Sequence, residues 1–223
     1  MYKIKKIKNF DVYYSNKLSV EHFFTTRNLI VKDNPDLISD YLKVPKENIL
    51  HPNQIHSANI EFVSNKKDYP DCDALILDKT NYAIYLNFAD CTPVILYDKK
   101  QNIIAIAHAG WRGTAQKIAP KTVFKMNSNP NDIIALIGPC ICFNCFETYD
   151  EALIQLKNSV KDIKGLFQGN YADLKGINKR QLEEIGVREF DIIPFCTVCD
   201  NDKFYSYRAE NKTKLRHSAV VKL

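Results

Sequence analysis

The stretch from residue 82 to 108 constrains the fold more than any other part of this chain. Residues 82–88, 93–97 and 103–108 are three short apolar runs rich in β-branched and aromatic side chains, which reads as three strands. The last two are joined by the polar turn Asp98-Lys99-Lys100-Gln101-Asn102. A register that pairs Asp98 with Ile103 puts Pro93 opposite His108. Cys91, two residues before Pro93, then leaves the same face of the sheet as His108. Diagonal cross-strand neighbours lie about 7–8 Å apart at the backbone. A Cys sulfur at about 2.3 Å and a His nitrogen at about 2.0 Å from one zinc ion can close that gap. The spacing permits a shared metal. Taken alone, the two residues read equally well as a buried small thiol and a satisfied histidine, or as a nucleophile and its base.

Around these runs the chain alternates irregularly between strand and helix signals. Residues 11–14, 20–25, 58–63 and 133–137 read as strands, and Pro35–Leu42 reads as a helix opened by Asn34. Residues 111–126 read as a helix with a break at Pro120. Helices are also expected over 148–160 and 173–185, and strands near 190–196, 203–208 and 217–222. No regular βαβ alternation appears, so the expectation is an α+β fold with a mixed or antiparallel sheet. No repeat, low-complexity tract or linker divides the sequence, and residues 1–223 read as one domain.

Composition narrows the function classes. The net charge of +5 is carried by lysines in ones and twos (Lys5-Lys6, Lys66-Lys67, Lys99-Lys100), without a basic run or a base-stacking motif. That pattern is a solvated surface, with no nucleic-acid partner expected. No apolar run approaches the roughly 20 residues that cross a bilayer. The basic start MYKIKKIKNF leads into no signal-peptide core. Seven cysteines, an odd number, suit reduced thiols in the cytoplasm rather than a disulfide framework. Nothing resembles a dimerisation stripe, so a monomer or weak homodimer is expected.

Polar and small residues cluster at the strand ends. Ala89-Asp90-Cys91-Thr92-Pro93 interrupts two apolar runs, and His108-Ala109-Gly110-Trp111-Arg112-Gly113 follows a third. Arg112 offers a planar fork suited to phosphate or carboxylate. Small residues at 109, 110 and 113 allow close approach, as in catalytic loops on a rigid scaffold. Asp90 reads as a turn residue or as the carboxylate that orients a ligand histidine. Asp73 reads as a turn cap or a pocket residue, and Trp111 as packing.

Taken in order, six motifs resemble one family. They are Gln54-Ile55-His56, Asp71-Cys72-Asp73-Ala74-Leu75-Ile76, Ala89-Asp90-Cys91-Thr92-Pro93-Val94, Ala107-His108-Ala109-Gly110-Trp111-Arg112-Gly113, Ile137-Gly138-Pro139-Cys140-Ile141 and Cys145-Phe146-Glu147, followed by Ser206-Tyr207-Arg208. The set is similar to the purine nucleoside phosphorylases once called multicopper polyphenol oxidases or laccase-domain proteins. The resemblance implies a compact sandwich of mixed β-sheets flanked by helices. It implies zinc held by His56, Cys91 and His108, and cleavage of adenosine, inosine or methylthioadenosine by phosphate, with associated adenosine deamination. A zinc with two His and one Cys ligand keeps a fourth position open. Asp90 and Arg112 are then the expected catalytic residues, and Arg27, Gln54, Asp73 and Cys140 the expected substrate contacts, Arg27 for phosphate. After Arg27 this chain passes directly through Asn28-Leu29-Ile30 to Asp33, where the family usually carries a glycine-rich segment.

Two other classes stay open. One is a metal-free amide hydrolase acting on peptidoglycan precursors, with Cys91 as nucleophile and His108 as base. The other is copper-dependent phenol oxidation, since imidazole and thiolate also bind copper; five histidines are few for a multicopper site. His22, His51 and His217 are expected to be structural, His51 being the one rival ligand. Cys142-x-x-Cys145 and Cys196-x-x-Cys199 have knuckle spacing and together could make a four-cysteine structural zinc site, but about fifty residues separate them, beyond the roughly 15–20 of a zinc ribbon, and neither pair has the glycines of a knuckle. No second zinc is expected there.

Overall fold

The computed structural model describes residues 2–64 and 68–223; the lysine pair at 66 and 67 lies outside them. In chain order the strands are β1 (Tyr2–Ile7), β2 (Phe10–Ser15), β3 (Glu21–Thr25), β4 (Ile49–Leu50), β5 (Ile60–Phe62), β6 (Ala74–Leu77), β7 (Ala83–Phe88), β8 (Thr92–Asp98), β9 (Ile103–Ala109), β10 (Ile133–Ile137), β11 (Phe167–Gln168), β12 (Tyr171–Ala172), β13 (Glu189–Ile192) and β14 (His217–Lys222). The helices are α1 (Pro35–Leu42), α2 (Trp111–Ala115), α3 (Ile118–Lys125), α4 (Asp150–Asn158) and α5 (Leu174–Glu184).

Two six-stranded mixed sheets carry the fold, in the orders β1-β2-β3-β14-β7-β4 and β13-β10-β8-β9-β6-β5. The period-2 alternation of a strand explains how they stack. Along β8 and β9, Ile95, Tyr97, Ile104 and Ile106 face the other sheet, where they meet Ile84, Leu86 and Phe88 of β7 and Val221 of β14. Their alternates Val94, Leu96, Ala105 and Ala107 face outward, under Ile118, Ala119 and Val123 of α3 and Leu182 of α5. The alanines matter here, because short side chains let the helices lie close to the sheet. On the far side of the first sheet, Val12, Phe23, Tyr85 and Val220 pack on Ile38 and Leu42 of α1. The result is a sandwich of two mixed sheets with helices on both outer faces. Among the described residues no helix is long and apolar enough to cross a membrane.

β8 and β9 pair antiparallel, with Asp98 opposite Ile103 and Pro93 opposite His108. That is the register read from the sequence, and it sends Cys91 and His108 toward the space between the sheets, at one end of the sandwich. Elsewhere the sequence and the structure differ. The expected helix over 111–126 is two helices, and the break is at Lys117, which adopts a left-handed conformation (φ 60°), not at Pro120. Pro120 is the third residue of α3, where a helix has no use for an N–H, so it is tolerated. Asn34 stands at the mouth of α1, but its amide donates back to the Ile30 carbonyl (2.9 Å) instead of capping. The strand expected near 190–196 stops at Ile192, ahead of Pro194, which has no N–H to donate. Residues 203–208 form turns, because side chains compete for the backbone: the Ser206 N–H donates to Glu210 (2.8 Å) and the Ala209 N–H to Ser206 Oγ (3.0 Å). β1 lies outside the expected strands because its lysines, useful on an edge strand, mask the alternation, and β6 because all four of its residues are buried and leave no alternation to read.

Candidate active site

β8 and β9 bring Cys91 and His108 to the end of the inter-sheet core, and His56 reaches them from the loop between β4 and β5. The ligand atoms of the three residues all lie within 4.8 Å of one another, and the His56 and His108 rings are 4.8 Å apart, centre to centre. His56 sits in the left-handed region (φ 63°), as does Asp90 beside Cys91 (φ 82°). For residues other than glycine such conformations cost about 1–3 kcal/mol each and persist only where the surroundings enforce them.

What enforces His56 is Asp73. This fully buried carboxylate, next to the start of β6, accepts five hydrogen bonds. Three come from the backbone N–H groups of Ile55, His56 and Ser57 (3.2, 3.0 and 2.7 Å). Ser57 Oγ (2.7 Å) and His108 Nδ1 (2.7 Å) supply the others. Burial by itself would push the Asp73 pKa up; the donors, led by His108 and Ser57, bring it down to about 2. A His108 that donates through Nδ1 presents Nε2 to Cys91 and His56 as a free lone pair, the arrangement metal-ligating histidines use. Burial of the Cys91 thiol opposes its ionisation, but the adjoining His108 and His56 rings more than compensate and hold it below the ordinary thiol range. His108 is displaced upward by the same contact and by Asp73, against the cost of its own burial.

Gly110 closes the cluster from below. A Cβ there would stand 2.8 Å from Cys91 Sγ and 3.2 Å from His56 Cδ2. The Gly110→Ala variant is expected to keep its fold but displace the Cys91 sulfur, weakening metal binding by about tenfold or more in a chelator competition. Unchanged affinity would show that the sulfur is not where the metal binds.

The cluster opens into a cavity of ≈ 660 Å³, bounded among others by Ile141, Phe146 and Tyr207, a size typical of small-molecule sites. Three arginines line it: Arg112, Arg208 and Arg216. Among the described residues none of them is paired with a carboxylate. Arg112 stacks on Trp111, 4.3 Å from the ring centre. Arg208 is steadied by the carbonyls of Cys145 and Glu147 (3.4 and 3.1 Å), and Arg216 by those of Thr213 and Leu215 (2.6 and 2.7 Å).

The other expected site residues are distributed differently. Arg27 is not in the cavity wall: its guanidinium donates to Glu210 (2.6 Å) and the Asn201 carbonyl and lies over Tyr205. Cys140 is fully buried outside the cavity, where burial pushes its thiol up to about 12. Gln54 does line the cavity, but both ends of its amide are bound to the Asn87 backbone (2.9 and 2.8 Å). Asp73 faces the ligands instead of the cavity. The orienting carboxylate is therefore Asp73, whereas Asp90, in the cavity wall, accepts from Thr197 Oγ1 (2.6 Å) and the Arg208 N–H (2.7 Å). His51 lies in the wall with its ring tilted against that of Tyr85, outside the ligand cluster. His22 is held by Ser15 and Val20, and His217 is buried beside Phe88 and Phe204. Arg216 was missed because it belongs to no motif. The knuckle spacing of Cys142, Cys145, Cys196 and Cys199 points to a shared site and their separation along the chain argues against it; the structure brings the four sulfurs within 4.8 Å of one another.

Fold and cluster together define an α+β sandwich protein with a two-histidine, one-cysteine centre at the floor of an arginine-lined cavity. Residues 14–223 match the family described as multi-copper polyphenol oxidoreductase laccase, and the chain belongs to that family. It is 34% identical over 195 residues to a purine nucleoside phosphorylase of Clostridium acetobutylicum, covering 85% of this chain and 82% of that one. It is 30% identical to the adenosine deaminase RL5 of an unknown prokaryotic organism, covering 75% and 72%. Among solved structures, the hypothetical protein YfiH of Bacillus licheniformis superposes with a TM-score of 0.89 at 26% identity, covering 98% of both chains.

Proposed function

We propose that this protein is a zinc-dependent purine nucleoside phosphorylase, converting a purine nucleoside and phosphate to the free base and ribose 1-phosphate. The observation that carries the proposal is the convergence of His56, Cys91 and His108 at the floor of a cavity whose wall holds three arginines, none of whose guanidinium groups pairs with a carboxylate among the described residues. The donor set fits zinc: one thiolate, two imidazoles and an open side. The cradle fits as well, since Gly110 leaves room at the Cys91 sulfur that any side chain would take. A blue-copper centre uses the same donors with a weak axial thioether or amide, and both ends of the nearby Gln54 amide are already bound to the Asn87 backbone. Met126, the one methionine among the described residues, is buried in the outer helical core, far from that role. Relatives named purine nucleoside phosphorylase and adenosine deaminase support nucleoside chemistry, and seven unpaired thiols support a reducing, cytoplasmic setting.

In this reading Arg112, Arg208 and Arg216 bind phosphate and offset its charge, while Ile141, Phe146 and Tyr207 flank the purine and exclude water. His56, Cys91 and His108 hold the metal, with Asp73 fixing two of them. A zinc ion bound there would supply a Lewis acid. Deamination of adenosine would instead bring C6 of the base to the same floor, water adding there and ammonia leaving to give inosine.

The test is chromatography of zinc-loaded protein incubated with adenosine, inosine and methylthioadenosine, with and without phosphate. Base release that requires phosphate is expected; conversion of adenosine to inosine alone would replace phosphorolysis with deamination. Arg112→Ala is expected to raise the KM for phosphate about 10-fold or more while moving the nucleoside KM less, because a charge-assisted hydrogen bond contributes about 1.5–3 kcal/mol. A second reading draws on the depressed Cys91 thiol beside His108: a metal-free hydrolase with a thiolate nucleophile. His56 separates the two readings, since full activity in metal-free His56→Ala would establish the hydrolase.

A further inference from the structure

The two Cys-x-x-Cys pairs are far apart in sequence, and parallel strand pairing brings them together. β10 and β13 are parallel neighbours with Ile137 beside Ile192, so both strands leave the sheet at the same end. The adjacency continues past the strands as a bridge between Cys140 and Cys196, with the Thr197 N–H donating to the Cys140 carbonyl (3.2 Å). A parallel pair needs a crossover, and α4, β11, β12 and α5 supply it. This is why the interval between the pairs exceeds that of a zinc ribbon, whose two knuckles are joined more directly.

Each pair then turns tightly. In the first loop the N–H groups of Cys145 and Phe146 donate to the Cys142 carbonyl (3.0 and 2.9 Å). In the second, the Asp200 N–H donates to the Cys196 carbonyl (2.8 Å). Two backbone N–H groups point at one sulfur: Cys142 and Cys199 both donate to Cys196 Sγ (3.2 and 3.4 Å). Such donors stabilise a thiolate more than a thiol. The Cys145 and Cys199 sulfurs are 3.6 Å apart, and zinc–sulfur bonds of about 2.3 Å in a tetrahedron put sulfurs about 3.8 Å apart. A disulfide needs only about 2.05 Å, so these sulfurs stand at ligand spacing.

We propose that Cys142, Cys145, Cys196 and Cys199 hold a structural zinc ion that staples the two loops behind the cavity. Four thiolates close the coordination sphere, so this zinc has no position for substrate. Its consequence is mechanical. The first loop carries Ile141 and Phe146 of the cavity wall and the carbonyls that steady Arg208. The second carries Thr197, which donates to Asp90 beside Cys91. The staple fixes one side of the cavity and the shoulder of the Cys91 loop, and it does not depend on which metal or reaction His56, Cys91 and His108 support.

The experiment is metal analysis of protein purified under reducing, zinc-replete conditions. Wild type is expected to carry two zinc ions per chain, Cys145→Ser/Cys199→Ser one, and His56→Ala one. The cysteine variant is also expected to melt on the order of 10 °C lower, since structural zinc contributes folding free energy directly. Should that variant fail to fold, cobalt titration of demetallated wild type decides: a tetrathiolate site adds intense sulfur-to-cobalt absorption beyond that of a one-thiolate site. The proposal is overturned by a single zinc that His56→Ala removes, by iron in the cysteine site, by a cobalt spectrum of one-thiolate character only, or by a Cys145–Cys199 disulfide in the intact mass. Failure of the nucleoside assay would leave every one of these readouts unchanged.

Discussion

Cys91→Ser is expected to lose the cavity zinc and to lower phosphorolysis by about a thousandfold or more, with the fold retained. The thiolate is the charged member of the donor set. A serine hydroxyl titrates far above neutrality, so in its place it offers two imidazoles and a weak neutral oxygen, which is too little to hold zinc against water. The loss should be far larger than for a contact to substrate, because the Lewis acid goes with the ligand. Structural damage is expected to be small, since serine is near in size and Cys91 is only half-buried at the edge of the inter-sheet core. Zinc content and turnover, measured on the same preparation beside a melting curve, check the result. Turnover retained without zinc would point to a nucleophile other than Cys91 and a site other than this one.

Asp73→Asn is expected to weaken zinc binding about 10- to 100-fold, and Asp73→Ala to destabilise the fold by about 3–5 kcal/mol. Five donors converge on this carboxylate. An amide keeps one acceptor oxygen, and its NH2 must then confront N–H groups, so either His108 loses its orientation or the His56 loop loses its anchor. Alanine removes every acceptor and strands buried donors, the costly side of a hydrogen bond. Chelator competition for the first variant and chemical denaturation for the second are the measurements. If Asp73→Asn bound zinc like wild type, the coupling between this carboxylate and His108 would be packing alone.

These effects mark where local sequence reasoning reaches and where it ends. The Cys91–His108 pair was legible because a hairpin is local: a short polar turn fixes the register, and the register fixes which face each residue leaves. The α+β class with a mixed sheet was legible from the apolar runs, whereas the helix-flanked sandwich came only through the resemblance carried by the family motifs. His56 was reachable only through its motif, since a left-handed loop residue carries no periodicity. Asp90 and Asp73 could not be told apart, because both are acidic residues next to a ligand motif. What separates them is the set of N–H groups the 55–57 loop brings to Asp73. Arg27 satisfied its motif, yet its guanidinium is engaged by Glu210 and Asn201, residues more than 170 positions away. The four-cysteine cluster depends on contacts between residues 54 positions apart, and Arg216 joins a cavity whose other lining begins at His51. The amino-acid sequence by itself determined the central strands β7, β8, β9 and β10, the hairpin register and the types of donor available. Tertiary structure alone decided which donors meet, because parallel pairing and loop closure join segments whose separation along the chain leaves no mark in local patterning.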